Sequence, residues 1–192
     1  MIRIAVIGDI GSGKSHVAKK FHYPVFNADD EVAKLYKKSR KCYNKFKKIF
    51  PDYITKFPIE KKQISEAIMD NQNNLKKIVK IIHPEVHHQM NKFIKKNKKN
   101  KIIVLDIPLL IENKINKRGD ILIFVDAKKN EINKRLQKRN NVNMEIIKKF
   151  RKLQLSVGIK KKKADFIIKN NFNNTSVEKS VKNILNNILL YV

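Results

Sequence analysis

Near the amino terminus, Gly8-Asp9-Ile10-Gly11-Ser12-Gly13-Lys14-Ser15 reads G-x-x-x-x-G-K-[ST] without a mismatch. Small residues at this spacing let successive backbone N–H groups point inward. With the N-terminus of a following helix they cradle the β- and γ-phosphates of a nucleoside triphosphate. Gly8, Ile10, Gly11, Ser12 and Gly13 would supply the backbone, Lys14 a point charge on the phosphate oxygens, and the Ser15 hydroxyl a ligand for Mg2+. A grip on phosphates does not name the group that receives one. Asp29, in Asn27-Ala28-Asp29-Asp30, follows a second short apolar run and could accept the proton of an attacking hydroxyl. It could equally cap the helix that begins near Glu31, and Asp29 and Asp30 can divide the two jobs.

Other candidates are weaker. Asp106 ends another apolar run, where a metal-binding aspartate or a local structural carboxylate would both fit. His83 stands before Pro84, and a His-Pro pair at a helix end positions backbone or meets polar ligand atoms more readily than it acts as an acid. His87-His88 lacks the i, i+4 spacing of a paired metal site. Cys42 is the only cysteine, so it forms no internal disulfide and has no partner for structural zinc, which agrees with a reducing compartment and a cytoplasmic location.

These residues need elements to position them. Ile2 to Ile7 is apolar on both faces and reads as a buried parallel strand running into the glycine loop. Val17, Ala18 and Phe21 have helical spacing, and Tyr23-Pro24 closes that segment before a short strand at Val25-Phe26. From Asp29 to about Asn97 no strand stands out; Val32, Leu35, Tyr36 and Ile64, Ala67, Ile68 recur at helical spacing, with Pro51 and Pro58 as breaks. Ile102 to Leu105 and Ile121 to Val125 read as further buried strands. Lys128 to Lys163 is helical and basic, Phe166-Ile167-Ile168 a last strand, and Val177 to Leu190 a closing amphipathic helix. Strands alternating with helices predict an α/β fold around a parallel sheet.

At 192 residues the chain fits one domain, and 42% hydrophobic residues suffice for a core. No apolar run approaches the roughly 20 residues that span a bilayer. The net charge of +27 invites a nucleic-acid reading, yet the lysines are spread along the whole chain with no basic tail, and Asn and Ile are abundant too. All three are read from AT-rich codons, so base bias accounts for the excess without a nucleic-acid partner.

The order of motifs resembles that of the dephospho-CoA kinases. Ile10-Gly11-Ser12-Gly13-Lys14-Ser15 is similar to that family's phosphate loop, and Asn27-Ala28-Asp29 to its Asp-Ala-Asp, whose second aspartate is regarded as the catalytic base. His83-Pro84-Glu85-Val86 resembles its His-Pro-x-Val, and Pro108-Leu109-Leu110-Ile111-Glu112 its Pro-Leu-Leu-x-Glu; neither belongs to P-loop kinases in general. Arg135 and Arg139 fall in a basic helix similar to the family's lid, Gln154 and Ala164-Asp165 keep its spacing, and Asn170 resembles an asparagine near the adenine of ATP. Arg135 and Arg139, one helical turn apart, would project from one face as a clamp on phosphoryl groups.

The resemblance implies a three-layer P-loop kinase fold with a parallel five-stranded sheet. Its core would take 1–28, 99–127 and 164–192, with a helical acceptor-binding insertion over 29–98 and a helical lid over 128–163. It implies ATP and Mg2+ as cofactors and dephospho-CoA as acceptor, with no specific nucleic acid, no membrane, and a monomer or weak homo-oligomer. Lys14, Asp29 and Arg139 would be catalytic; His16, Arg135 and Asn170 would join the loop in binding ATP; His83, Pro84, Pro108, Leu109, Leu110 and Glu112 would bind the acceptor. Departures from the pattern are Asp9 for a glycine, Ile7 and His16 for threonines, Asn27 for the first aspartate, His87 for an arginine and Lys169 for an aspartate. Asp9 repels a triphosphate if its side chain turns inward and is harmless if it turns outward. The rival readings are a P-loop kinase of a nucleotide or other small metabolite and, in a different class, a basic NTP-dependent nucleic-acid-binding protein.

Overall fold

Runs that are apolar on both faces end where both faces are covered. Ile2–Gly8 (β1), Val25–Asn27 (β2), Ile102–Asp106 (β3), Ile121–Asp126 (β4) and Phe166–Lys169 (β5) form one sheet in the order β2-β3-β1-β4-β5. All four strand pairs are parallel, with Ile4 opposite Val104 on one side and Ile121 on the other. The computed structural model describes residues 1–139 and 142–190; within the expected lid, residues 140 and 141 lie outside the described residues.

The helices are Lys14–Lys20 (α1), Ala28–Lys38 (α2), Arg40–Ile49 (α3), Lys61–Asp70 (α4), Gln72–Lys96 (α5), Lys129–Gln137 (α6), Met144–Arg151 (α7), Val157–Lys163 (α8) and Asn174–Leu190 (α9). Alternate side chains of β1 serve different layers. Ile4 and Val6 pack with Val17 of α1, with Phe21 just past its end, and with Val177 and Val181 of α9. Ala5 and Ile7 face the other way, into a core shared with Tyr36 of α2, Phe46 of α3, Ile68 of α4 and Met90 of α5. The sheet is thus the middle of three layers.

Short polar side chains start the helices where the chain turns. Asn27 Oδ1 accepts the Asp30 N–H at 2.9 Å and caps α2, and Ser39, Asn71, Asn143 and Ser156 cap α3, α5, α7 and α8 in the same way. The capping alternative for Asp29 is therefore corrected: α2 begins at Ala28, one residue into the motif, and Asn27 does the capping.

Two further expectations are corrected. His83-Pro84 does not end a helix but lies inside α5. A proline there costs about 3 kcal/mol and removes a donor from the Lys80 carbonyl. Leu75, Ile78, Ile81, Val86 and Met90 are all buried along that helix, and at about 1.5–3 kcal/mol per fully buried side chain the packing outweighs the break. Arg139 does not share a helical face with Arg135, because α6 stops at Gln137 and Lys138 is its C-cap.

The loop after β1 is held from the far edge of the sheet. Asn170, just past β5, donates from Nδ2 to the Ser12 carbonyl at 2.8 Å, accepts the Phe172 N–H on Oδ1 at 2.9 Å, and anchors its own N–H on the Asp126 carbonyl at 2.7 Å. Gly13 has a left-handed φ of 93°, and a Cβ there would collide with Asn170 Nδ2. Gly13→Ala is expected to lower the free energy of unfolding by about 1–3 kcal/mol, read by urea denaturation. Unchanged stability would mean that the loop does not need this approach.

Candidate active site

The loop and the strand ends beside it gather a compact set of charges. A side chain on Gly8 would come within 2.7 Å of Ser12 Oγ and 2.9 Å of the Val125 carbonyl, so the first turn needs a glycine. Lys14 Nζ folds back to donate to the Asp9 carbonyl at 2.9 Å and reaches the Gly8 carbonyl at 3.5 Å. Burial lowers the Lys14 pKa, Asp106 and Asp29 oppose the shift, and the ammonium of Lys160 adds to it.

Ser15 and Asp106 meet at the end of β3. Asn27 Nδ2 donates to Asp106 Oδ2 at 2.7 Å and lies 3.4 Å from Ser15 Oγ, so one amide ties cap, strand end and loop together. Asp106 is 3% exposed. Burial raises its pKa, against a hydrogen bond from Ser15 and the charge of Lys14. The structure therefore places Asp106 in the site, although the sequence left its role open; an acidic residue closing a buried apolar run was the available signal.

Asp29 stands in the first turn of α2, with its carboxylate open to the cleft. The protein around it strips hydration and raises its pKa; Lys14 pulls the other way and Asp30 adds to the rise. Asp29 also lines a cavity of about 180 Å3 whose wall is almost wholly apolar, built by Tyr36, Ile82, Met90, Pro108, Leu109 and Phe150 among others. His83 lines the same cavity, and its buried Nε2 has no hydrogen-bond partner among the described residues. Leu109 holds a left-handed φ of 58° where the cavity meets the phosphate loop.

Other expected site residues are placed differently. Pro84 is exposed and does not line the cavity. Leu110, 1% exposed, and Glu112 line a groove beside Gly8 and Lys14 instead of the apolar cavity, and Glu112 Oε1 meets Lys160 Nζ at 3.0 Å and the Leu155 N–H at 2.9 Å. His16 is exposed on α1, and the Ile10 N–H is already taken by Asp9 Oδ1 at 2.7 Å. That bond, with Arg151 Nε 3.6 Å away, decides where the Asp9 side chain goes: it turns onto its own loop and toward α7. Arg135 stacks over the Phe172 ring at 4.3 Å, beside Gly13, and Arg139 is exposed beyond α6.

Two basic residues near the loop had no distinguishing signal in the sequence. Arg151 buries Nε and Nη2 without a hydrogen-bond partner among the described residues. Lys160 is buried within a run of four lysines that read alike.

The charges, the loop and the cavity lie at the carboxyl ends of parallel strands, where α/β sheets place their ligands. A family model for dephospho-CoA kinase matches residues 2–176. A dephospho-CoA kinase of Wolbachia pipientis is 33% identical, the match covering 97% of this chain and 98% of that protein. Among solved structures, TT1252 from Thermus thermophilus superposes with a TM-score of 0.75 at 23% identity, over 97% of each chain. A dephospho-CoA kinase from Campylobacter jejuni superposes with a TM-score of 0.64 at 22% identity, over 97% of this chain and 96% of the other. These two likenesses establish the P-loop kinase fold. With the family match running from β1 into the first turn of α9, and a relative one-third identical along nearly its whole length, the chain belongs to the dephospho-CoA kinase family.

Proposed function

We propose that the chain moves the γ-phosphate of ATP onto the ribose 3′-hydroxyl of dephospho-CoA, giving CoA and ADP as the last step of CoA synthesis in the cytoplasm. One observation carries this reading: Asp29 stands on the seam between the Lys14, Ser15 and Asp106 cluster and an apolar cavity. A hydroxyl at that seam meets a base on one side and a phosphoryl donor on the other.

The chain's residues divide the work by position. Backbone N–H groups of Gly11 and Gly13, with the start of α1, hold the phosphates, and Lys14 swings from the carbonyls of Gly8 and Asp9 onto their oxygens. Asp29 orients the hydroxyl and accepts its proton; reduced hydration makes it a stronger base than a free aspartate. The apolar cavity takes an uncharged part of the acceptor, with His83 Nε2 free to meet one polar atom. α2 to α5 form the acceptor-binding insertion. α6 to α8 form the lid, which keeps water from competing for the phosphoryl group.

Mg2+ fits the residues present: a buried Asp106 carboxylate beside the Ser15 hydroxyl offers hard oxygen ligands, and this ion needs only one or two of these besides phosphates and waters. When bound it neutralises charge on the β- and γ-oxygens.

A coupled ADP-release assay tests the acceptor. Dephospho-CoA should be turned over at least tenfold faster than any nucleoside monophosphate, and the reverse order would replace the assignment with a nucleotide kinase. Asp29→Asn should lower kcat by about 10²- to 10⁴-fold, the usual worth of a positioned base, with the Kd for Mg·ATP changed less than threefold by calorimetry. The acid limb of kcat/KM should be centred above the free-aspartate value of about 4, because the folded chain holds the Asp29 proton more tightly. Activity is then lost as pH falls through that raised value, and a limb centred at or below 4 would remove Asp29 as the base. Asp106→Asn should leave Mg-free ATP binding intact and abolish its strengthening by Mg2+.

A further inference from the structure

We propose that Lys160 is the ammonium that meets the phosphoryl group in transit and that Glu112 positions it, an inference that rests on the kinase reading above. α8 ends in Lys160-Lys161-Lys162-Lys163, and the four are not equivalent. Lys161 pairs with Asp126 at 2.7 Å, and Lys162 and Lys163 are exposed. Lys160 alone is buried, 3% exposed, with its ammonium 3.0 Å from Glu112 Oε1.

An ammonium withdrawn from water is costly even when paired, and an apolar residue would anchor α8 to the body at less expense. What Lys160 faces explains the charge. It lines a small groove together with Gly8 and Lys14 of the phosphate loop, Pro108 and Leu109 of the segment after β3, and Glu112 and Gln154. Pro108 and Leu109 also line the cavity beside Asp29. A phosphoryl group leaving the loop for a hydroxyl at Asp29 crosses between these walls. Lys160 and Lys14 line this same groove. Two ammonium groups facing one groove repel each other, and an anion between them relieves the repulsion.

Glu112 fits a positioning role. Its Oε1 takes the Leu155 N–H at 2.9 Å as well as the Lys160 ammonium, which fixes both the start of α8 and the reach of the lysine. The other basic candidates look elsewhere: Arg135 lies on Phe172, Arg139 is exposed, and Arg151 faces Asp9 in a separate cavity with Asp126 and Lys129.

Four forms of the full chain separate the possibilities: wild type, Lys160→Met, Glu112→Gln, and the double variant Lys160→Met/Glu112→Gln, which leaves no unpaired buried carboxylate. The readouts are kcat with the best acceptor, and calorimetric Kd for Mg·ADP with dephospho-CoA, with and without fluoroaluminate as a mimic of the phosphoryl group in flight. Lys160→Met should lower kcat about 10²- to 10³-fold, as loss of one transition-state donor does. It should change the Kd for Mg·ADP less than threefold and abolish the tightening that fluoroaluminate brings to wild type. Glu112→Gln should show part of both losses, and the double variant should be as slow as Lys160→Met while melting near wild type. A purely structural lysine would weaken ADP and fluoroaluminate binding alike, or give a double variant with restored kcat; either result, or a Lys160→Met kcat within threefold of wild type, overturns the proposal. If wild type prefers another acceptor, the acceptor assignment fails on its own, and the fluoroaluminate comparison with that acceptor still decides the role of Lys160.

Discussion

β1 lies in the middle of the sheet, with β3 on one side and β4 on the other, and this placement decides what can surround the phosphate loop. Parallel strands end together, so the loop that leaves β1 has the last residue of β3 at one flank and the segment after β5 within reach across β4. From β3 comes Asp106, which takes a hydrogen bond from Ser15 and is held by the amide of Asn27. From beyond β5 comes Asn170, which holds the Ser12 carbonyl and packs so close to Gly13 that no side chain fits there. The backbone donors of the loop are held ready because neighbours on both sides over-determine its shape, and that readiness is what electrostatic catalysis requires.

Charge is concentrated where hydration is scarce. Lys14, Asp106, Asp29, Lys160 and Glu112 come together at the carboxyl end of the sheet, and the shifted proton affinities of Lys14, Asp29 and Asp106 reflect lost water before they reflect neighbouring charges. The rest of the positive excess is different in kind. Most lysines are exposed, and two clusters of apolar side chains, one on each face of the sheet, make up the core, so the net charge of +27 is mainly a property of the surface. Cys42 belongs to that core: burial pushes its thiol up to about 11, which keeps it inert.

Two departures from the family pattern have local physical compensation. Asp9, a potential repeller of phosphate, spends one oxygen on the Ile10 N–H and lies near a guanidinium of α7. Asn27, which lacks the carboxylate of the family motif, uses its oxygen to cap α2 and its nitrogen to hold Asp106, a division that an aspartate could not make because it has no donor.

Local chemistry made much of this protein legible without coordinates. Five apolar runs, a glycine loop between strand and helix, and the Asp29 and Pro108-Leu109 segments could be read because strand burial, loop turns and short motifs are encoded by neighbours in the chain. Long-range questions were closed to it. Which lysine of four is buried, whether Asp106 serves the loop, and where Arg139 points depend on contacts between residues far apart in sequence: Lys160 with Glu112, Asp106 with Asn27. His83-Pro84 shows the same limit from the other side, since a proline that ends an isolated helix is carried through α5 by the packing of its buried side chains. Strand runs, the phosphate loop and the family motifs are written in adjacent residues, so they can be read along the chain. Only tertiary packing decided which charges share the site, because burial and pairing are set by what folds on top of them.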